Sequence, residues 1–243
     1  MKIIKYKKLS NDKYKILLEN NKSILLYENT ILEKNLLITK KIDNIEEILK
    51  YNKKYDIYQV SLKYINAKMR SEKELRDYLL KKEYDLDNID LIIDRLKKEG
   101  YVNDELYTKA FISDKIRINN YGQNKIINEL CKSGINNEII EKCINNIEHD
   151  SILNNINKIV DKKIKTNNSY AGEVLKQKIM SDLISKGYYK EDIINVLNEK
   201  NFDNNDLYEK EYKKLYNKYS KKYEGSELDY IIKQKLYMKG LKK

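Results

Sequence analysis

Arginine is rare in this sequence, and its four arginines lie near one another along the chain. Arg70, Arg76, Arg95 and Arg117 occur among 243 residues that otherwise use lysine as the basic side chain. An arginine side chain presents a planar fork of donors that binds carboxylates and phosphates through paired hydrogen bonds, which lysine cannot do. The clustering therefore suggests one surface that binds acidic groups. Pairing within the molecule, for instance of Arg76 with Glu72, is the competing interpretation.

The sequence offers little for catalysis. It contains no glycine-rich phosphate loop, no GxSxG and no HExxH motif. His149 is the only histidine, and we expect it at a helix C-terminus, where it interacts with the helix dipole. Cys131 and Cys143 lack the spacing of metal ligands, and Cys143 falls in an apolar stripe that indicates the core. We therefore predict a protein without enzymatic activity, metal or cofactor.

The charge balance favours an acidic partner, either nucleic acid or an acidic protein surface. The net charge is +11, and 36% of the residues are charged. The block 101–150 is slightly acidic, with six basic and eight acidic residues, so the positive excess lies towards both ends. Lysine, asparagine, isoleucine and tyrosine dominate throughout, as a coding bias would produce, which is the alternative source of the lysine excess. No run of 18 apolar residues or signal-peptide pattern occurs, which predicts a soluble, cytoplasmic protein.

Helix start and stop residues indicate how these cations are positioned. Ser71-x-x-Glu74 has the spacing of a capping box, in which each side chain binds the other's backbone N–H. Asp85 is expected to cap the next helix, which Gly100 ends, and Asn103 is expected to cap the one after. The stretch from 69 to 115 thus predicts two complete helices and the opening of a third.

The first of these helices separates apolar from basic residues. Leu75 and Leu79 are four apart and predict a buried stripe. Lys73, Arg76 and Lys81 lie away from that stripe. They are therefore candidates for the same binding surface as the arginines.

Residues 1–42 differ from the rest and predict a small β-rich module. Three short β-prone runs occur within 2–27. Residues 28–35 predict a short helix, and 36–39 a brief extended return. The polar turns between the runs are predicted at Asn11-Asp12 and Asn20-Asn21.

The remainder of the chain is predicted to be helical and contains an internal repeat. A helical connector is predicted over 43–55, where Asp43-x-x-Glu46 has capping-box spacing. The apolar pattern of the first two complete helices recurs 51 residues later and again after a further 53. Glycine follows the middle helix of the later copies at Gly134, Gly187 and Gly240, whereas the first copy has Glu83 there. We predict a mostly α fold of tandem three-helix repeats in an elongated curved array, with the small β-rich module at the N-terminus. The predicted repeats are 56–102, 103–150, 151–203 and a truncated fourth over 204–243.

A stripe of tyrosines marks the helix that opens the fourth repeat. Lysines occupy the other side of this helix, so the aromatic rings could stack on bases beside neutralised phosphates. Apolar residues at helical spacing are more often the buried side of a helix, which is the alternative. The stripe consists of Tyr208, Tyr212, Leu215, Tyr216, Tyr219 and Tyr223.

Two segments resemble the RecX family, which regulates the RecA recombinase. They are RSEKELRDYLLKKEYD, from Arg70, and IIDRLKKEGYVNDELYTKAFI, from Ile92. The following segment YGQNKIINELCKSGI is also similar, and the likeness covers roughly 56–200. The resemblance implies tandem three-helix repeats and binding to RecA–DNA filaments.

One departure from the family pattern affects the candidate contacts. The family is rich in arginine around Gly122, whereas this chain has Asn119, Asn120, Gln123 and Asn124 there. Lys115, Arg117 and Lys125 remain nearby as substitutes. The predicted RecA- or DNA-binding residues are therefore Arg70, Lys73, Arg76, Lys81, Arg95, Lys115, Arg117 and Lys125.

The resemblance implies a non-enzymatic regulator that binds RecA–DNA filaments and modulates RecA recombinase and ATPase activity, with inhibition the expected sign. Its setting would be DNA repair, recombination and the SOS response. We expect a monomer that contacts DNA within the filament. The alternatives are a direct, non-specific DNA-binding protein built from helix-turn-helix-like units and a helical scaffold for another protein.

Overall fold

The computed structural model describes residues 1–9 and 12–242, and for Asn205 the backbone alone. Asn11, half of the first predicted turn, lies outside the described residues. The chain forms two compact units, Met1–Tyr107 with Ser133–Ile135, and Thr108–Lys132 with Asn136–Lys243. The described elements are mostly helical, as predicted. They are β1 (Ile3–Lys8), β2 (Lys13–Leu18), β3 (Ser23–Tyr27), α1 (Glu28–Glu33), α2 (Leu36–Thr39), α3 (Ile45–Ala67), α4 (Glu72–Lys81), α5 (Leu86–Lys98), α6 (Asp104–Arg117), α7 (Gln123–Lys132), α8 (Asn137–Asn145), α9 (His149–Thr166), α10 (Gly172–Ser185), α11 (Lys190–Asn198), α12 (Asn205–Tyr219) and α13 (Gly225–Tyr237).

The N-terminal module contains the predicted strands, which form an antiparallel sheet in the order β1-β2-β3. Its pairing is regular except for a bulge between Ile3 and Lys5, where Ile4 is the extra residue. Because side chains alternate along a strand, one face carries buried residues and the other faces solvent. The buried face packs on the first helices in a core of Ile3, Ile16, Leu18, Leu26, Ile31, Leu36, Ile42 and Ile48.

The prediction of an extended segment at 36–39 is wrong, because these residues form the single helical turn α2. Asn35 and Lys40, on either side, adopt left-handed conformations with φ of 50° and 45°. The turn buries Leu36, which is 2% exposed, and leaves Ile38 82% exposed. Burial of Leu36 in the module core thus outweighs the β propensity of an isoleucine and a threonine.

Helix α3 is longer than the predicted connector and continues without a break to Ala67. Its N-cap is Asn44, whose side chain accepts from the backbone N–H groups of Glu46 and Glu47. Asp43, the predicted cap, instead pairs with Lys41 at 2.8 Å. That prediction was wrong by one residue, since adjacent Asp and Asn side chains are equally suitable caps.

The helix boundaries of the first repeat agree with the start and stop residues. Ser71 and Glu74 form the capping box, and Asp85 caps α5 through the backbone N–H of Asn88 at 3.1 Å. Gly100 follows α5 in a left-handed conformation. The core of this part consists of Ile57, Leu75, Leu79, Ile89, Ile92, Ile93, Leu96 and Val102.

The helices follow one another in the predicted order, as α3–α5, α6–α8, α9–α11 and the final pair α12–α13. Two further cores belong to the second unit. One consists of Ile152, Ile156, Val160, Leu175, Ile179, Leu183, Tyr188, Ile193, Val196, Leu197 and Phe202. The other consists of Ala171, Leu207, Leu228, Ile232, Leu236 and Leu241. The repeat boundaries and the curved array remain predictions.

A recurring contact explains the glycines that follow the middle helices. In the second unit, the Gly122 N–H donates to Lys186 O at 2.8 Å, and the Ala171 N–H donates to Lys239 O at 2.9 Å. The first bond joins the start of α7 to the turn after α10, and the second joins the start of α10 to the turn after α13. A Cβ on Gly187 would lie 2.4 Å from the backbone nitrogen of Lys125, and one on Gly240 would lie 2.1 Å from Ala171 O. Glycine is therefore required there by both conformation and space.

The same contact occurs in the first unit, where the Ser71 hydroxyl donates to Ser133 O at 2.7 Å. The turn after α4 has no earlier repeat on which to pack. Its residue Glu83 is exposed, yet has the same left-handed conformation with φ of 63°. Close approach, and not conformation alone, accordingly separates the glycine positions from Glu83.

Candidate binding surfaces

Arg76 is paired with carboxylates in the first unit. Its guanidinium donates to Glu72 at 3.3 Å and to Asp90 at a shorter distance. These carboxylates raise the pKa of Arg76, the Asp90 hydrogen bond most strongly. A hydrogen bond from Lys97 is the main cause of the lowered pKa of Glu72. The predicted alternative, pairing of Arg76 with Glu72, is therefore confirmed, and an acidic partner would have to compete with it.

Arg95 is also neutralised locally. Its Nε donates to Glu99 at 2.7 Å, and its guanidinium lies over the ring of Tyr58, 4.1 Å from the centroid. The Tyr58 hydroxyl donates to the second carboxylate oxygen of Glu99 at 2.7 Å. The hydrogen bond from Arg95 is the main cause of the lowered pKa of Glu99. These three side chains satisfy one another at the surface.

Arg70 is placed differently, because its guanidinium lies over an aromatic ring. Its guanidinium lies 4.3 Å from the ring centroid of Tyr64. Tyr64 stacks on Tyr78 with centroids 3.8 Å apart and planes 4° from parallel, and Lys82 lies over Tyr78. Among the described residues Arg70 forms no ion pair, and its Nε is buried without a hydrogen-bond partner. Sequence reasoning missed this aromatic column because Tyr64 and Tyr78 belong to different helices.

The two lysine candidates of α4 point to solvent. Lys73 is exposed, and its aliphatic stem occupies the space that a Cβ on Gly134 would need. Lys81 is exposed and has no ion-pair partner in the part of the chain that the structure describes. Within the described residues of this unit, neither Lys81 nor Arg70 forms an ion pair.

In the second unit, two candidates converge on one tyrosine. Lys125 lies 3.9 Å and Lys115 lies 5.3 Å from the ring centroid of Tyr121. Lys115 also pairs with Glu129 at 2.6 Å. Arg117 is exposed and, within the described residues, unpaired.

The four amide residues near Gly122 do not share one surface. Asn119, Asn120 and Asn124 are exposed. Gln123, however, is only 6% exposed, and its Oε1 has no hydrogen-bond partner among the described residues. Only three of the four positions are therefore open to a partner.

A partly buried hydrogen-bond centre that the sequence did not reveal lies at Asp56 on α3. Its carboxylate accepts from the hydroxyls of Tyr27 and Tyr84, the latter at 2.5 Å, and from Lys13 at 3.2 Å. Burial raises the pKa of Asp56, but these hydrogen bonds outweigh burial and hold the pKa below its usual value. Asp56 thereby joins β2, β3 and the turn after α4. Its partners are distant in sequence, so no local pattern could indicate them.

The predicted position of His149 was wrong. It is the first residue of α9, and its Nε2 lies 2.9 Å from Asp192, which is 8% exposed. Asp192 lies 43 residues later in the chain, so no local pattern could indicate this contact.

The tyrosine stripe of α12 is mainly a buried face, as the alternative interpretation held. Tyr208, Tyr212, Tyr219 and Tyr223 are partly buried against the last core, whereas Tyr216 is 46% exposed. Rings engaged in the core are not available to stack on bases.

The part of the chain that the structure describes includes no group of three or more His, Cys, Asp or Glu side chains arranged to hold a metal ion. Nor does any described helix combine the length and the apolar composition needed to cross a membrane. The notable side chains are the cations and their aromatic and acidic neighbours. This arrangement is suited to binding.

Comparison with known proteins agrees with the three-helix arrangement. Residues 58–96 match the model of the first three-helix domain of RecX, and 103–144 match that of the second. Regulatory protein RecX of Streptococcus agalactiae serotype Ia is 32% identical, over 99% of this chain and 95% of that protein. The chain belongs to the RecX family. The resemblance seen in the sequence is thereby confirmed.

Two further matches extend this result. Regulatory protein RecX of Oceanobacillus iheyensis is 28% identical, over 75% of this chain and 69% of that protein. A crystal structure of a regulatory protein RecX superposes with a TM-score of 0.65 at 17% identity, covering 82% of this chain and 99% of the other. The structural likeness supports the fold, and membership of the RecX family supports a regulatory role.

Proposed function

We propose that this protein binds RecA–DNA filaments and lowers the recombinase and ATPase activity of RecA, without chemistry of its own. The supporting observation is its membership of the RecX family over nearly the whole chain. It would act as a cytoplasmic monomer in DNA repair, recombination and the SOS response, and contact DNA within the filament.

The proposed mechanism is occupation of a surface. Basic side chains on a rigid helical scaffold bind acidic groups of the filament and obstruct RecA subunit addition or strand exchange. Cations without a carboxylate partner are the strongest contacts, since a paired cation must first give up its existing partner. In the first unit we assign this role to Arg70 and Lys81, and in the second to Arg117.

Arg70 has a further property that favours a bidentate contact. The stacked rings of Tyr64 and Tyr78 hold its guanidinium in one orientation. A guanidinium that is already oriented loses less conformational entropy on binding a carboxylate or phosphate than a mobile one does.

The ATPase activity of RecA on single-stranded DNA tests this proposal, with increasing amounts of the wild-type protein and two double variants. R70Q/K81Q removes two unpaired cations, and R76Q/R95Q removes two paired ones from the same unit. We expect the wild type to inhibit, R70Q/K81Q to need about tenfold more protein for equal inhibition, and R76Q/R95Q to stay within about threefold. Exposed ion pairs contribute about 0.2–1 kcal/mol each, so the loss of two costs up to about 2 kcal/mol, and a tenfold change corresponds to about 1.4 kcal/mol.

If the wild type at saturating concentration leaves the ATPase unchanged, RecA regulation is refuted. If it inhibits but the two variants are equally weakened, the family role stands and the assignment to Arg70 and Lys81 fails. Circular dichroism of each variant establishes that it is folded before the comparison is made.

A further inference from the structure

The outer face of the N-terminal sheet carries lysines that the RecA proposal does not use. Lys5 and Lys7 on β1 and Lys15 on β2 are exposed, on the face opposite the module core. The register places Lys7 directly across from Lys15, and Lys5 across from Leu17. Three lysine side chains thus project from the same face of the sheet.

No carboxylate balances these lysines. The three strands contain no Asp or Glu, and among the described residues Lys5, Lys7 and Lys15 form no ion pair. Other lysines of this unit do have partners: Lys34 pairs at 2.9 Å, Lys41 at 2.8 Å and Lys53 at 2.6 Å. Residues 1–42 hold ten lysines against four acidic residues, more than half of the net charge of +11.

The arrangement is unfavourable for the protein alone. Like charges directly opposite each other on neighbouring strands repel and destabilise the sheet. Lysine on β1 has an ordinary role in protecting an edge strand from aggregation. Lys15 lies on the central strand, however, where that role does not apply, so an anionic ligand is the better explanation.

We propose that this face binds the sugar–phosphate backbone of duplex DNA through Lys5, Lys7 and Lys15, independently of RecA. Lysine is depleted in protein–protein interfaces, whereas it supplies the charge neutralisation on which non-specific DNA binding depends. A single strand would require aromatic rings to stack its unpaired bases. The tyrosine rings of the module are not available for this: Tyr6 and Tyr14 pack against the module core, and Tyr27 is only 8% exposed. A duplex stacks its bases inside the helix and presents its phosphates on the outside, where such a face can bind them.

Fluorescence anisotropy of a labelled mixed-sequence duplex, titrated with the full chain at several salt concentrations without RecA, tests the proposal. The test variant is K5Q/K7Q/K15Q, and the matched control is K34Q/K41Q/K53Q, which removes the same charge from paired lysines of the same unit. Each lost phosphate contact lowers the slope of log K against log salt by about 0.9. We expect the slope of the test variant to be smaller by about 2.7 and that of the control by less than about 1. Between about 50 and 200 mM salt, the factor by which affinity falls should therefore be about 40-fold smaller for the test variant than for the wild type.

Thermal unfolding of the same variants checks the repulsion. K5Q/K7Q/K15Q should melt at the wild-type temperature or above it, and a lower melting temperature would remove the argument from strand pairing. An equal decrease of the slope in both variants would overturn the proposal, because DNA would then be attracted by the overall positive charge of the unit and not by these three lysines. So would tighter binding of a single strand than of the duplex. An unchanged duplex slope together with lost binding to RecA would also overturn it, by showing that the face binds an acidic protein. RecA inhibition is measured separately, so it can stand or fall alone.

Discussion

Replacing Gly187 by alanine measures how strongly one repeat holds the next. The new Cβ would lie 2.4 Å from the backbone nitrogen of Lys125 and 2.5 Å from its Cβ, so a main-chain segment has to move. That movement weakens the two bonds of this contact, from Gly122 N–H to Lys186 O at 2.8 Å and from Asn124 N–H to Gly187 O at 2.9 Å. Alanine at a φ of 88° costs about 1–2 kcal/mol, and two lost hydrogen bonds cost about 1 kcal/mol each. We expect a total of about 3–4 kcal/mol.

Gly100 provides the matched control. Its φ is 81°, but a Cβ there meets no atom within 4 Å, so G100A should cost only the conformational share of about 1–2 kcal/mol. Urea unfolding followed by circular dichroism gives both values, and the difference of about 2 kcal/mol isolates the contact between repeats. If G187A and G100A destabilise the protein equally, the close contact contributes nothing and the account of the repeated glycine is refuted.

Three other variants test separate parts of the structure. E83G should raise the free energy of unfolding in urea by about 0.5–1 kcal/mol. Glycine adopts the left-handed conformation without the strain of a side chain, and this turn has no neighbouring repeat. A lower free energy of unfolding would contradict this reasoning. D56N should lose about 1–3 kcal/mol at neutral pH. Because the folded-state pKa of Asp56 is lowered, its contribution is present above the unfolded value of about 3.9 and is lost as the pH falls through the folded value. The difference between wild type and D56N should therefore shrink below about pH 4, and a pH-independent difference would argue against the charged hydrogen bonds. R70K keeps the charge but lacks the planar group over Tyr64, so it should cost about 0.5–1 kcal/mol in thermal unfolding, and no change would show that the stacking is energetically neutral.

The parts of the fold that could be predicted rest on local signals. The capping box of Ser71 and Glu74 and the turn at Gly100 depend on residues within a few positions of each other. The internal repeat was visible because each copy must present the same apolar stripes. Glycine at 134 and 187 marked the turns for the same reason.

The parts that were mispredicted or missed depend on residues distant in sequence. The turn at Leu36 follows from burial in a core that several elements build together. The partners of Asp56 come from two strands and a later turn, and the aromatic column beside Arg70 joins Tyr64 of α3 to Tyr78 of α4. Among the candidate cations, the sequence could not separate Arg76, held by carboxylates, from Lys81, which is not.

Co-sedimentation of the full chain with RecA filaments on single-stranded DNA tests the central proposal most directly. We expect the wild type to pellet with the filaments in a saturable manner. We also expect a variant with Arg70, Lys81 and Arg117 all replaced by alanine to pellet less at the same concentration. Equal pelleting of that variant would contradict the assigned surface, and a wild type that stays in the supernatant at every concentration would contradict filament binding itself.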